Sequence, residues 1–178
     1  MKKLLICIMV IVCLVGSASV TYGNSGSAII PCVTRAREAN RYFITGIFYS
    51  NITNDPATIT ITLYDTNGEI IKDTDNSQTA GAIQLGRTGA THLNYTENLS
   101  NASVSFTLEG HKTGWIAVHQ TSNSTGTQDV GYGIIEWTQE GSAHNVQCLV
   151  AHGMMADIYT NLANSSRFAI PINNGMPF

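Results

Sequence analysis

Residues 57–65, "ATITITLYD", constrain the fold more than any other segment, because apolar and polar residues alternate along it. Apolar residues at positions 59, 61 and 63 would share one face of a strand, and threonines at 58, 60 and 62 the other. A period of two is that of a β-strand with one dry face and one wet face, and it does not fit a helix. The segment therefore predicts a sheet that covers a core on one side.

The rest of the chain repeats this pattern in short segments separated by turn residues. Residues 42–49 are aromatic and β-branched, which favours a strand, and Asn67-Gly68 is a strong hairpin signal. Further strands are predicted at 80–85, 90–95, 103–110, 114–121, 131–138, 146–151 and 167–172. Residues 153–164 are the nearest helical candidate. This pattern predicts an all-β, antiparallel two-sheet β-sandwich with at most one short helix.

Residues 42–95 resemble the immunoglobulin-like β-sandwich modules of bacterial secreted proteins. The resemblance rests on the strand at 42–49, "SNIT", the alternating strand, "YDTNGEII", and a later strand after "LGRTGAT". It implies an immunoglobulin-like or jelly-roll-like sandwich. Many such modules are adhesive or structural, which is the kind of function that the resemblance implies here.

The start of the chain has the pattern of a secretory signal peptide. Lys2 and Lys3 precede an apolar run from Leu4 to Val15, and small residues follow at 16–18. The run is shorter than the ~20 apolar residues that a transmembrane helix needs, so we expect no transmembrane segment after cleavage. We predict a signal peptide at 1–18, with 23 as the alternative end, and one secreted domain at 24–178. The pattern looks bacterial and predicts export to the periplasm, the cell surface or the medium.

Charge excludes one class of partner and suggests another. The formal net charge is −3 at pH 7, and Lys72 and Lys112 are the only lysines beyond the predicted signal peptide. Tight binding to a phosphate backbone needs several positive contacts, so nucleic acid is excluded. Lysine is also a common protection of exposed sheet edges. We therefore expect an exposed strand edge to pair with a second copy or with another surface protein.

Two of the four cysteines, Cys32 and Cys148, remain after the predicted cleavage. Two cysteines in an oxidising compartment predict one disulfide, Cys32–Cys148. Cys148 also lies in "HNVQCLVAH", between His144 and His152. On a strand, positions four apart are separated by about 13 Å, too far to share a metal ion. We interpret this stretch as scaffold and expect no metal or cofactor; a helical ligand set and a reduced thiol nucleophile are the alternatives.

The remaining candidate site residues could bind a ligand. His111, Trp115 and His119 have equal parity, so one strand face could carry all three, and an aromatic ring with flanking polar groups can stack a sugar. Trp137, in "GYGIIEW", has the same potential. The alternative for both tryptophans is a place in or beside the core, since apolar residues on both faces of 131–137 are typical of a central strand.

Motifs of catalysis do not occur in the sequence. It contains no G-x-S-x-G, H-E-x-x-H or Walker loop, and we expect no enzyme and no catalytic residue. The leading hypothesis is a secreted or cell-surface, non-enzymatic β-sandwich for surface interaction, adhesion or assembly. The alternatives are a carbohydrate- or small-ligand-binding module, with a glycan as partner, and a hydrolase with a dispersed site.

Overall fold

The computed structural model describes residues 24–38, 41–71, 83–85, 93–98, 103–118, 128–140, 147–159 and 165–178, and these residues form ten strands and one short turn. The strands are β1 (Asn24–Glu38), β2 (Arg41–Asn51), β3 (Ala57–Tyr64), β4 (Ile83–Leu85), β5 (Leu93–Asn98), β6 (Ser103–Leu108), β7 (Thr113–Val118), β8 (Gln128–Gln139), β9 (Leu149–Tyr159) and β10 (Ser166–Pro171). A 3₁₀ turn, Asn173–Gly175, follows β10. Every strand pairing in these ranges is antiparallel.

The strands form two antiparallel sheets, which confirms the predicted all-β sandwich. Sheet A has the order β10-β9-β2-β7-β4, and sheet B has the order β1-β8-β3-β6-β5. One hydrogen-bonded ladder joins the two sheets, because β1 pairs with β2 from Ala36–Phe43 to Glu38–Arg41. β1 and β2 therefore form a long hairpin whose first strand belongs to sheet B and whose second strand belongs to sheet A.

Thr45 satisfies the main chain where the two arms of this hairpin separate. Its hydroxyl oxygen accepts a hydrogen bond from the Thr34 amide (2.9 Å) and donates one to the Thr34 carbonyl (3.1 Å). Both residues are buried, and an unpaired buried amide or carbonyl would be costly. The side chain of Thr45 thus replaces the next rung of the β1–β2 ladder.

The core lies between the sheets and is filled by the alternating apolar residues of the strands. Ile59, Ile61 and Leu63 on β3 are fully buried, as the sequence predicted. Tyr49 of sheet A and Phe106 of sheet B meet across the layers with ring centroids 5.3 Å apart. Contacts of this kind hold the two dry faces together.

The predicted Asn67-Gly68 hairpin forms, and only its glycine has a positive φ (80°). Asp65 organises the turn, since its carboxylate accepts hydrogen bonds from the amides of Asn67 (2.8 Å) and Glu69 (2.9 Å). The Asp65 amide donates to the Glu69 carbonyl at 2.8 Å. The side chain of an aspartate often builds such turns by bonding the backbone two residues on.

The helical candidate at 153–164 is instead a strand over its first part. β9 runs from Leu149 to Tyr159 and pairs with β2 on one side and β10 on the other. Two neighbouring strands that satisfy its main chain outweigh local helix propensity. The rest of that candidate, 160–164, lies outside the described residues.

The predicted signal peptide at 1–18, with its alternative end at 23, also lies outside the described residues and stays a prediction. Across the described ranges, no helix has the length and apolar character needed to span a membrane. The resemblance of residues 42–95 to immunoglobulin-like modules stays a prediction as well.

Candidate functional site

The outward faces of the two sheets differ in chemistry. On sheet B, threonines of β3 lie opposite serine and threonine of β6, in the pairs Thr58–Thr107, Thr60–Ser105 and Thr62–Ser103. The Thr60 hydroxyl donates to the Ser105 hydroxyl at 3.2 Å. A hydroxyl-rich outer face is what solvent favours on a sandwich.

Sheet A carries a row of three aromatic rings on its outer face, whereas sheet B has the stacked pair Tyr64–Tyr132 there. Phe48 of β2 lies opposite Trp115 of β7 on one side and His152 of β9 on the other. The rings of Phe48 and Trp115 are stacked, with centroids 5.8 Å apart and planes inclined by 20°. Those of Phe48 and His152 are stacked more closely, at 4.9 Å and 5°. We call Trp115, Phe48 and His152 the aromatic row.

Sheet geometry explains the stacking. Adjacent strands are about 4.8 Å apart, so aromatic residues at directly opposite positions bring their rings face to face. Such pairs contribute about 0.5–1.5 kcal/mol beyond the area they bury. Phe48 therefore has both ring faces covered, and the row presents ring edges rather than open faces at this position.

A cavity of about 290 Å³ adjoins the aromatic row between β9 and β10. It is lined by Phe48, His152, Gly153, Met154, Arg167, Phe168 and Ala169. Phe168 is an exposed large apolar side chain, with 54% of its surface accessible. Arg167 is exposed as well and adds a positive charge to the margin of the row.

Of the two equal-parity candidates that the structure describes, Trp115 lies in this row and His111 does not. His111 lies in the turn before β7, with a positive φ of 55°, and one ring nitrogen is 2.8 Å from the Asn54 side-chain oxygen. It is therefore not on the strand face with Trp115. His119 lies outside the described residues.

Trp137 occupies the core. Its side chain is 2% exposed, and Nε1 donates a hydrogen bond of 2.8 Å to the main-chain oxygen of Phe178. This is the core position that the apolar pattern of 131–137 indicates as the alternative to ligand binding. Its ring is not exposed for stacking a sugar in this conformation.

Cys32 and Cys148 are both free thiols, so the structure does not contain the predicted disulfide. The register places them apart. The Cys148 amide shares the Phe178 oxygen with Trp137, which lies opposite Gly26 on β1. Cys148 therefore lies near Gly26, whereas Cys32 is further along β1, roughly 20 Å from Gly26. The two cysteines are thus too far apart for a disulfide, which needs Cα atoms within about 7 Å.

The thiol of Cys148 is inside the core, and burial raises its pKa while the hydroxyl of Thr53 acts in the opposite direction. A raised pKa disfavours the reactive thiolate. His152, by contrast, is exposed in the aromatic row, and His144 lies outside the described residues. Within the part of the chain that the structure describes, no three His, Cys, Asp or Glu residues are grouped to hold a metal ion.

Sequence reasoning missed Phe48 and His152 as members of a site. The sequence predicts a strand at Phe48, and it relates His152 only to the nearby Cys148. No spacing along the chain links them, because β2, β7 and β9 are distant in sequence and adjacent only in the sheet. The signal in the sequence that could have indicated the site is Phe48, an aromatic residue within the predicted strand at 42–49.

No protein-family model matches the sequence, and no curated protein matches it. Among solved structures, the chain is similar to one described as manganese lipoxygenase of Gaeumannomyces graminis with part of zonadhesin of Komagataella pastoris. The match covers 83% of this chain and 45% of that chain, with 11% identity and a TM-score of 0.22. The chain thus spans less than half the length of that structure's chain. A TM-score this low does not establish a common fold.

Proposed function

We propose that the chain is an exported, non-enzymatic β-sandwich that binds another protein through the outer face of sheet A. The observation that carries this proposal is the aromatic row, Trp115, Phe48 and His152, on a face where solvent favours polar residues. Aromatic residues and arginine are enriched at protein interfaces and supply much of their binding energy. Arg167, at an outward position of β10, adds a positive charge to the same face. Phe168 lies opposite Met155 and so has the parity of the inward-facing Thr45, which places it on the other face of the sheet.

The face is a better candidate than the free edge of β1, one of the edges that the low lysine content leaves without the protection of lysine. β1 is an edge strand of sheet B from Asn24 to Thr34, but Pro31 lies in it and a bulge interrupts its register between Ile30 and Val33. Proline has no amide to donate, and both devices discourage pairing with another chain. Edge pairing along β1 is therefore disfavoured.

A small-ligand or glycan module is the second candidate, and the cavity beside the row favours it. Sugars stack on an open ring face, but both faces of Phe48 are already covered. The cavity instead offers Arg167 and His152 next to apolar walls, which suits a ligand with an acidic group. Binding on an array of acidic glycans that is lost in Arg167→Ala and His152→Ala would favour this candidate.

Photo-crosslinking tests the protein-binding proposal. A benzoyl-phenylalanine replaces Phe48 in the full chain, produced in its native host, and irradiation links it to whatever covers the row. The matched control places the same residue at Tyr132, which stacks on Tyr64 on sheet B at 4.8 Å between centroids. Both positions hold partly buried aromatic residues, so the two probes differ mainly in the face they report.

A discrete protein adduct from position 48, with none from position 132, is the expected result. Unlabelled wild-type protein should compete with formation of this adduct, and a folded Phe48→Ser variant should not. Equal adducts from both positions, or none from position 48, would contradict the proposal. Thermal unfolding of Phe48→Ser shows whether loss of competition reflects the face or the fold.

A further inference from the structure

The segment that follows β10, residues 173–178, folds back into one end of the sandwich, and we call it the strap. Its last residue, Phe178, is 9% exposed and belongs to the core. The Phe178 amide donates to the Leu149 carbonyl at 2.9 Å, and the Leu149 amide donates to the Phe178 oxygen at 3.1 Å. The strap therefore docks on the start of β9 as an added strand does.

The groove that receives Phe178 binds both its side chain and its main-chain oxygen. The main-chain oxygen of Phe178 accepts two further hydrogen bonds, from the Cys148 amide at 3.0 Å and from Trp137 Nε1 at 2.8 Å. A Cβ on Gly26 would lie 2.5 Å from that same Nε1, so only glycine leaves room for the indole here. A cavity of about 310 Å³ opens beside Phe178 and is lined in part by Trp137 and Gly26.

The hinge of the strap has an unfavourable backbone. Asn173, Asn174 and Gly175 have φ angles of 46°, 53° and 74° in succession. Glycine tolerates the left-handed region freely and asparagine only in part, so two of the three residues hold a disfavoured conformation. An extended hinge would relieve them and direct the strap away from its own groove.

We propose that the strap exchanges between two copies of this chain, each placing Phe178 in the groove of the other. The groove contacts are the same in either arrangement, so they cancel in the balance. What remains is the strain of the hinge, set against its own hydrogen bonds and the entropy of association. In the closed hinge, Asn173 Nδ2 donates to the Met176 and Pro177 carbonyl oxygens, each at 3.1 Å, and these bonds favour the strap in its own groove. Attachment gives the strap an effective concentration on the order of millimolar in its own groove, so the wild type exchanges only at high concentration. The exchange uses no residue of the aromatic row.

Substitution of Asn174 tests the hinge, because its side chain is exposed and makes no hydrogen bond that would be lost among the described contacts. Valine strongly disfavours a positive φ and glycine favours it. In light scattering across a concentration series, Asn174→Val should raise the association constant of the dimer by about tenfold or more. Asn174→Gly should not raise it. A folded Asn174→Val protein that stays as monomeric as the wild type would overturn the proposal.

Two second-site variants identify the surface that holds the dimer. Phe178→Ala added to Asn174→Val should abolish the dimer, because the strap loses its anchor. Phe48→Ser added to Asn174→Val should leave it intact. A dimer that survives Phe178→Ala but is lost with Phe48→Ser would assign the dimer to the aromatic row and refute strap exchange. That outcome is independent of whether another protein binds the aromatic row.

A peptide experiment keeps the proposal testable if the hinge variant does not fold. The full-length Phe178→Ala chain should bind a synthetic peptide of residues 172–178, seen as a rise in its melting temperature or as regained near-ultraviolet dichroism. A peptide with Phe178→Ala should bind at least about tenfold more weakly, and one with Met176→Ala, whose side chain is 61% exposed, equally well. Absence of any response at millimolar peptide would overturn the proposal.

Discussion

Trp137 Nε1 donates a hydrogen bond of 2.8 Å to the main-chain oxygen of Phe178, and this bond ties the end of β8 to the residues beyond β10. The donor is buried, so its loss leaves an acceptor with fewer partners inside the core. The ring of Trp137 also packs in the core beside Phe178. The contact thus joins β8 of sheet B to the residue that pairs with β9 of sheet A at one end of the sandwich.

Trp137→Phe should lower the free energy of unfolding by about 1–3 kcal/mol, because the hydrogen bond and part of the packing are lost. Urea denaturation of the purified protein measures this. Trp115→Phe is the matched control, since Trp115 is only half-buried, and it should cost clearly less. Equal losses in the two variants would show that the bond to Phe178 adds nothing to stability.

Gly26→Ala should destabilise the protein by about 1–3 kcal/mol, the usual cost of overpacking. The new Cβ would lie 2.5 Å from Trp137 Nε1, so the indole must move away from Phe178. Thermal unfolding and the near-ultraviolet dichroism of tryptophan report the change. Ser25→Ala, at the exposed neighbouring position, should be close to neutral. Wild-type stability of Gly26→Ala would argue against the close approach.

Asp157 should make stability depend on acid pH. Arg41 donates two hydrogen bonds to its carboxylate, at 2.8 and 2.7 Å, and these bonds hold the pKa of Asp157 below its usual value. A lowered folded-state pKa stabilises the native state above the unfolded-state pKa of about 3.9, and this contribution is lost as pH falls through the folded-state pKa. Asp157→Asn should therefore cost about 1 kcal/mol at neutral pH.

The pH profile is the sharper measurement for that variant. Below about pH 4, the stability of Asp157→Asn should approach that of the wild type, because the wild-type carboxyl group is then being protonated. Glu136→Gln is the control, as Glu136 is exposed on β8. If Asp157→Asn keeps the wild-type slope through this range, the Arg41 pair does not contribute to acid sensitivity.

Cys32 and Cys148 should both react with a thiol reagent when the unreduced protein, starting at residue 24, is unfolded. In the native protein Cys148 should react at least about tenfold more slowly than Cys32, since it is buried and its pKa is raised. Cys148→Ser, which leaves one thiol, assigns the fast phase. Finding no reactive thiol after unfolding would instead support the disulfide that the sequence predicted.

The sequence by itself determined the fold class and most strand positions. The alternation at 57–65 requires a strand with one dry face, and the fully buried Ile59, Ile61 and Leu63 follow directly from it. The turn at Asn67-Gly68 was equally local, since it depends on residues within a few positions of one another. Periodicity and turn chemistry are short-range properties, so a single sequence contains them.

Only the tertiary structure decided which residues share a surface. Phe48, Trp115 and His152 come from three strands, and it is the order β9-β2-β7 that stacks their rings. The separation of Cys32 from Cys148 likewise depends on register, which the residue types do not specify. Strand order and register arise from many long-range contacts at once, and no short pattern along the chain encodes them.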